Sequence, residues 1–129
     1  PAQNEIMNVA WDMWFARSTD PTVPCNEIMV WPWHIGQVPI GNRVATLDVW
    51  GANWDLYSGE VRSSGAMWRV FSFVRQQNTL RTAGDLRDFI TNIRDRGWLD
   101  PSHHIVGLEF GAELLSGRGA FRIENYVQD

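Results

Sequence analysis

Residues 5–15 alternate, and that alternation decides most of what the chain can become. Val9, Trp11, Met13 and Phe15 fall on one face of an extended segment; Asn8, Ala10, Asp12 and Trp14 fall on the other. A period of two is incompatible with a helix, and the apolar face demands a covering layer. The pattern recurs. Residues 26–33, Arg43 to Trp50, Trp54 to Tyr57, Met67 to Val74, 104–115 and 119–127 all read as strands. Between them lie breaker clusters: Ser18-Thr19-Asp20-Pro21 with Pro24, a loop from Gly36 to Asn42, the tight turn Gly51-Ala52-Asn53, a polar turn region from Ser58 to Gly65, and Asp100-Pro101-Ser102. Only once does the period change. Leu86, Phe89, Ile90 and Ile93 follow i, i+3, i+4, i+7 and predict one amphipathic helix. Thr82 and Asp85 fit a capping box at its start, and Gly97 suits its end. Many strands and one helix predict an all-β sandwich or jelly roll with a helix appended.

At 129 residues the chain is expected to be a single domain with a full core. The net charge of -4 argues against nucleic acid or an anionic membrane surface as a partner. No apolar run approaches the roughly 20 residues of a membrane span. No signal-peptide pattern is visible, and a start at Pro1 reads as a processed or truncated sequence. Cys25 is the single cysteine, so it makes no internal disulfide and leaves the redox compartment open.

The chemistry sits in two of the strands. Asn26-Glu27-Ile28-Met29-Val30-Trp31-Pro32-Trp33 puts Glu27, Met29, Trp31 and Trp33 on one face. A carboxylate among indoles suits sugar chemistry: acids supply the proton and nucleophile work, and aromatic rings stack on the sugar's C–H face. Eight tryptophans strengthen the point, with most of them expected in the core and some as sugar platforms. The second strand carries Glu109 and Glu113 on one face with Gly111 between them. Four strand steps separate these two by roughly 13 Å. Paired glycosidase carboxyls lie about 5–5.5 Å apart in retaining enzymes and about 6.5–9.5 Å apart in inverting ones. Glu109 and Glu113 are therefore not a pair, and Glu27 is the natural partner of one of them. Asp12, beside Trp14, is placed to tune a neighbouring carboxylate. Gly111 leaves bare backbone for a ligand to approach. Pro32 predicts an end or a bulge in its strand. His34, Gln37 and Arg43 have two readings, as cleft-lining residues or as ordinary loop positions, and the loop reading is preferred; Cys25 reads as facing the same way as Glu27. His103 and His104 point to opposite faces and do not chelate one metal together.

The run Asn26 to Trp31 resembles the nucleophile strand of glycoside hydrolase family 12, E-[IL]-M-[IV]-W, and Gly111 to Gly117 resembles that family's acid/base motif, G-x-E-x-x-x-G. Val9-Ala10-Trp11-Asp12-Met13-Trp14-Phe15 is similar to its V-A-Y-D-[IL]-W-F strand. Pro39-Ile40-Gly41, Trp54-Asp55-Leu56-Tyr57, Phe71-Ser72-Phe73-Val74 and Gly84 to Phe89 follow in the family's order. Bacterial members are the nearest in pattern. The resemblance implies a β-jelly roll of two packed, curved antiparallel sheets with one α-helix, and retaining hydrolysis of β-1,4-glucans without metal or cofactor. It implies Glu27 as nucleophile, Glu113 as general acid/base and Asp12 as the residue orienting Glu27. Met29, Trp31, Trp33, Trp14 and Glu109 would line the substrate site. It also implies secretion. The family domain carries a substantial stretch ahead of the Asp12 strand, so residues 1–129 match its C-terminal portion. A second chain or the N-terminal segment would complete the sandwich. The alternative is a truncated glucan-binding or decoy homologue.

Overall fold

A computed structural model describes residues 6–17, 25–63 and 65–116, with side chains as far as 112. The strands are β1 (Ile6–Ala16), β2 (Asn26–Ile35), β3 (Asn42–Val49), β4 (Ala52–Ser63), β5 (Ala66–Arg75) and β6 (His104–Ser116); one helix, α1 (Arg87–Asp95), lies between β5 and β6. Among the described residues they form one six-stranded sheet in the order β3-β4-β5-β2-β1-β6. The all-β character and the single helix are as expected. The described residues supply one sheet, and one of its pairs, β2 with β5, is parallel. The segment expected as a strand at 119–127 lies outside the described residues.

Strand β4 extends six residues past Tyr57, through the region expected to be a polar turn. Its cross-strand partners there run from Phe71 back to Ala66 of β5. Backbone pairing, satisfied within the hairpin, does not require apolar side chains. Polarity alone therefore misplaces the turn.

The parallel pair has a topological cause. The chain leaves β2, crosses to the sheet edge as β3, and returns through β4 and β5 to lie beside β2. Residues 36–41 thus run back across the sheet. Gly41 (φ 93°) brings its backbone onto Gly59: a Cβ at Gly59 would lie 2.8 Å from the Gly41 Cα. Only glycine at both positions permits that approach.

The main core lies on the sheet face bearing Trp11, Met13, Phe15, Ile28, Val30, Trp54, Leu56, Phe71 and Phe73. Helix α1 covers it with Phe89 and Ile93, both fully buried. Each such side chain contributes about 1.5–3 kcal/mol through burial. The Phe89 ring meets Trp50, Trp54 and Phe73 edge-on at 4.7–5.0 Å. The Trp54 indole N–H, buried with its ring, donates to the Val49 carbonyl at 2.8 Å. At the helix start the Asp85 carboxylate accepts the Arg87 backbone N–H at 2.9 Å and grips its guanidinium at 2.6 Å. These hydrogen bonds hold the Asp85 carboxyl below the ordinary range. The capping residue is thus Asp85 acting on Arg87; α1 has no side-chain bond from its N-cap residue, Leu86. Gly97 (φ 77°) ends the helix as expected, with Gly97 N–H on the Arg94 carbonyl and Trp98 N–H on that of Ile93.

Candidate active site

Directly paired residues in neighbouring strands share a face. The register therefore lays out the face opposite α1 in rows. The first row runs Gly59, Val70, Glu27, Trp14, Gly107 across β4, β5, β2, β1 and β6. The second runs Tyr57, Ser72, Met29, Asp12, Glu109. In the third, Val74 pairs with Trp31 and Ala10 with Gly111. In the fourth, Asn8 pairs with both His34 and Glu113.

Glu27 is the chemical centre of this surface. The residue is only 7 % exposed, and its Oε1 accepts the Trp68 indole N–H at 3.0 Å. A carboxylate buried to this degree needs such a donor, because desolvation without one is costly. Asp12 is diagonal to Glu27, a relation that sets Cα atoms about 7–8 Å apart. Trp14, directly opposite Glu27, is half-buried; its ring meets that of Trp68 edge-on at 5.5 Å. Trp14 also leans over Gly107, where a Cβ would lie 3.5 Å from its Cδ1.

Further along, Trp31 packs with Ala10, Val74, Met29 and Tyr57 in a second apolar cluster. Trp31 is buried, so it forms the floor of this surface. The expected alternation breaks at Trp31-Pro32. Val9 pairs with Trp33 and Trp11 with Val30, so β2 carries one extra residue opposite Ala10. The bulge expected at Pro32 is present, and β2 runs on beyond it to Ile35. The extra residue reverses the phase. Trp33 consequently lies on the face of Val9, away from Glu27, and His34 takes its place. The His34 ring stands edge-on to Trp31 at 5.9 Å, and its backbone is clamped by both ends of the Asn78 amide. Burial holds the His34 imidazole below its ordinary pKa. His34 is therefore a strand residue of this surface, where a loop position was expected.

On β6, Glu109 is exposed and stands directly opposite Asp12. Open space surrounds the position a Cβ would take at Gly111, so the backbone there is accessible. The backbone of Glu113 pairs with Asn8, six positions along β1 from Trp14. Six strand rises are about 20 Å.

The remaining candidates sort simply. Arg43 is exposed, paired with Tyr57 and 3.9 Å from Asp55. Gln37 is half-buried in the crossing loop, and Cys25 is a half-buried free thiol. His103 precedes β6 and bonds Asn26 through Nδ1 at 3.1 Å; among the described residues no cluster of His, Cys, Asp and Glu could hold a metal. Of the tryptophans, Trp11, Trp31 and Trp54 are buried. Trp14 and Trp68 border Glu27, and Trp98 stacks on Phe71 at 5.7 Å. Trp68 was not among the residues expected at the site. Its only signal was that it alternates in phase with Val70 and Ser72.

Comparison with known proteins agrees with this layout. Residues 2–129 match the family model "Glycosyl hydrolase family 12". Endoglucanase A of Aspergillus kawachii is 31% identical, over 96% of this chain and 54% of that protein. Xyloglucan-specific endo-beta-1,4-glucanase A of Aspergillus niger is 35% identical, over 89% of this chain and 48% of that protein. A family 12 xyloglucanase from Bacillus licheniformis, solved in complex with ligand, superposes with a TM-score of 0.83 at 32% identity, covering 88% of this chain and 51% of that one. The fold is thus shared with these enzymes, as the expected jelly roll required. The chain spans about half the length of the relatives it matches.

Proposed function

This chain belongs to glycosyl hydrolase family 12, and from that membership we propose that the protein is a secreted, retaining endo-β-1,4-glucanase acting on cellulose, mixed-linkage β-glucan or xyloglucan. The observation that carries the reading is the buried Glu27, held by an indole donor on a face shared with Asp12, Met29 and Trp14. Glu27 attacks the anomeric carbon, and a carboxylic acid on β6 protonates the departing glycosidic oxygen. The same residue then activates the water that releases the glycosyl-enzyme. Asp12, diagonal to Glu27, orients it. Met29, Trp14, Trp31 and Glu109 border the bound glucan. The family motif makes Glu113 the acid/base. The chemistry calls for no metal or cofactor.

One observation favours a second reading. In the register of β6, Glu109 occupies the row of Asp12 and Glu113 stands four positions further along. A four-residue shift preserves every side-chain face. Glu113 therefore reaches Asp12 once β6 is displaced by four positions, whereas Glu109 is there already. If neither serves, the face is a glucan-binding surface without a complete site. Reducing-sugar release from barley β-glucan and from xyloglucan separates these readings. Glu27→Gln and Glu113→Gln are expected to lower turnover by orders of magnitude with an unchanged thermal transition, and Glu109→Gln to retain it. The reverse pattern between the two β6 variants assigns Glu109. A Glu27→Gln variant with most of its activity sinks the proposal.

A further inference from the structure

We infer that Trp68 is a positioning residue that reserves one carboxylate oxygen of Glu27 and leaves the other to attack. The inference rests on the reading of Glu27 as nucleophile. Trp68 lies on β5, on the same face as Val70 and Ser72, and Val70 is the cross-strand partner of Glu27. Its Nε1–H reaches Glu27 Oε1 at 3.0 Å. An indole nitrogen only donates, so the bond engages Oε1 as an acceptor. The ring is itself constrained: its edge-to-face contact with Trp14 ties it to the residue directly opposite Glu27. Both tryptophans thus fix the carboxylate from neighbouring strands, Trp68 by a hydrogen bond and Trp14 by packing against Trp68.

The geometry divides the work between the two oxygens. Oε2 forms the bond to the anomeric carbon as the glycosidic C–O bond breaks. The bonding pair leaves with the departing oxygen, which takes the acid's proton. Oε1 becomes the carbonyl oxygen of the resulting ester and still accepts from Nε1. The bond therefore persists through both half-reactions, and water attack returns the negative charge to a carboxylate already held in place. A donor to the attacking oxygen would have to be broken at each turnover.

The test has two parts. In the ¹⁵N-labelled full chain at pH 7, the Trp68 indole N–H resonance, assigned through its backbone, is compared between the wild type and Glu27→Gln. It is expected to move upfield in the variant, where a neutral amide replaces the charged acceptor. An indole signal at the same position in both overturns the inference. In the kinetic part, Trp68→Phe is expected to lower kcat roughly 10- to 100-fold, the range for a lost hydrogen bond to a charged group. KM should change little. A Trp68→Phe enzyme with wild-type kcat, beside an inactive Glu27→Gln, overturns the role of Trp68 and leaves the nucleophile standing. A Glu27→Gln variant as active as the wild type overturns the nucleophile itself, and the inference with it.

Discussion

A single methyl group at Gly84 should destabilise the protein, against the usual sign for glycine-to-alanine changes. Gly84 has no positive φ, so alanine fits its backbone. That substitution ordinarily stabilises by about 0.4–1 kcal/mol, because it reduces the freedom of the unfolded chain. Here the Cβ would lie 2.2 Å from Cε2 and Nε1 of Trp50. Trp50 has nowhere to retreat. Its ring abuts Phe89 at 4.7 Å, with Trp54 and Trp11 at 6.2 Å, and its Nε1 donates to Asp88 at 3.0 Å. If the indole swings out, it forfeits aromatic pairs worth about 0.5–1.5 kcal/mol each. If it stays, overpacking costs about 1–3 kcal/mol. Either outcome outweighs the entropic gain, and the net loss is about 1–3 kcal/mol. Urea unfolding should show a midpoint lowered by roughly 1 M at an unchanged slope. In a Trp50→Ala background the same change should be neutral or stabilising, since the clash is gone. A Gly84→Ala protein as stable as the wild type refutes the packing described around Trp50.

Other expectations follow from the same geometry. Phe89→Ala should cost about 3–5 kcal/mol in chemical denaturation, because it empties the contact between helix and sheet. Gly97→Ala should cost about 1–2 kcal/mol, since its φ of 77° is left-handed. His34 gives a pH signature. Burial lowers its folded pKa below the ordinary 6.5, so below that pH the unfolded chain binds more protons. Its contribution to stability is present above pH 6.5 and is lost as pH falls through the lowered value. The drop in urea midpoint from pH 7 to pH 5 should be smaller in His34→Phe than in the wild type. Asp12→Asn should lower kcat on β-glucan while leaving the thermal transition in place.

Period-two patterning was enough to place β1 and β2, because the helix-side face is buried almost without interruption from Val9 to Phe15 and again at Ile28 and Val30. It also put Glu27 and Met29 on one strand face, while the family resemblance set Asp12 beside them. It failed where one residue changed the phase. The bulge at Trp31-Pro32 exchanged Trp33 for His34, and a proline signals a bulge without saying which strand carries the extra residue. Trp68 was hidden for another reason. Its link to Glu27 depends on a parallel pairing between strands separated by an entire hairpin, and local alternation carries no information on such partners. The row of Glu113 is likewise a matter of register: motif spacing names the residue but not its opposite number on β1.

Covalent trapping tests the central claim most directly. A 2-deoxy-2-fluoro cello-oligosaccharyl fluoride slows release of the glycosyl-enzyme, and the labelled peptide can be sequenced by mass spectrometry. The account predicts one added glycosyl unit, carried by Glu27 within the Asn26–Trp31 segment, and no label in Glu27→Gln. Label on a different carboxylate, or a wild-type protein that turns over β-glucan yet never acquires label, would contradict it.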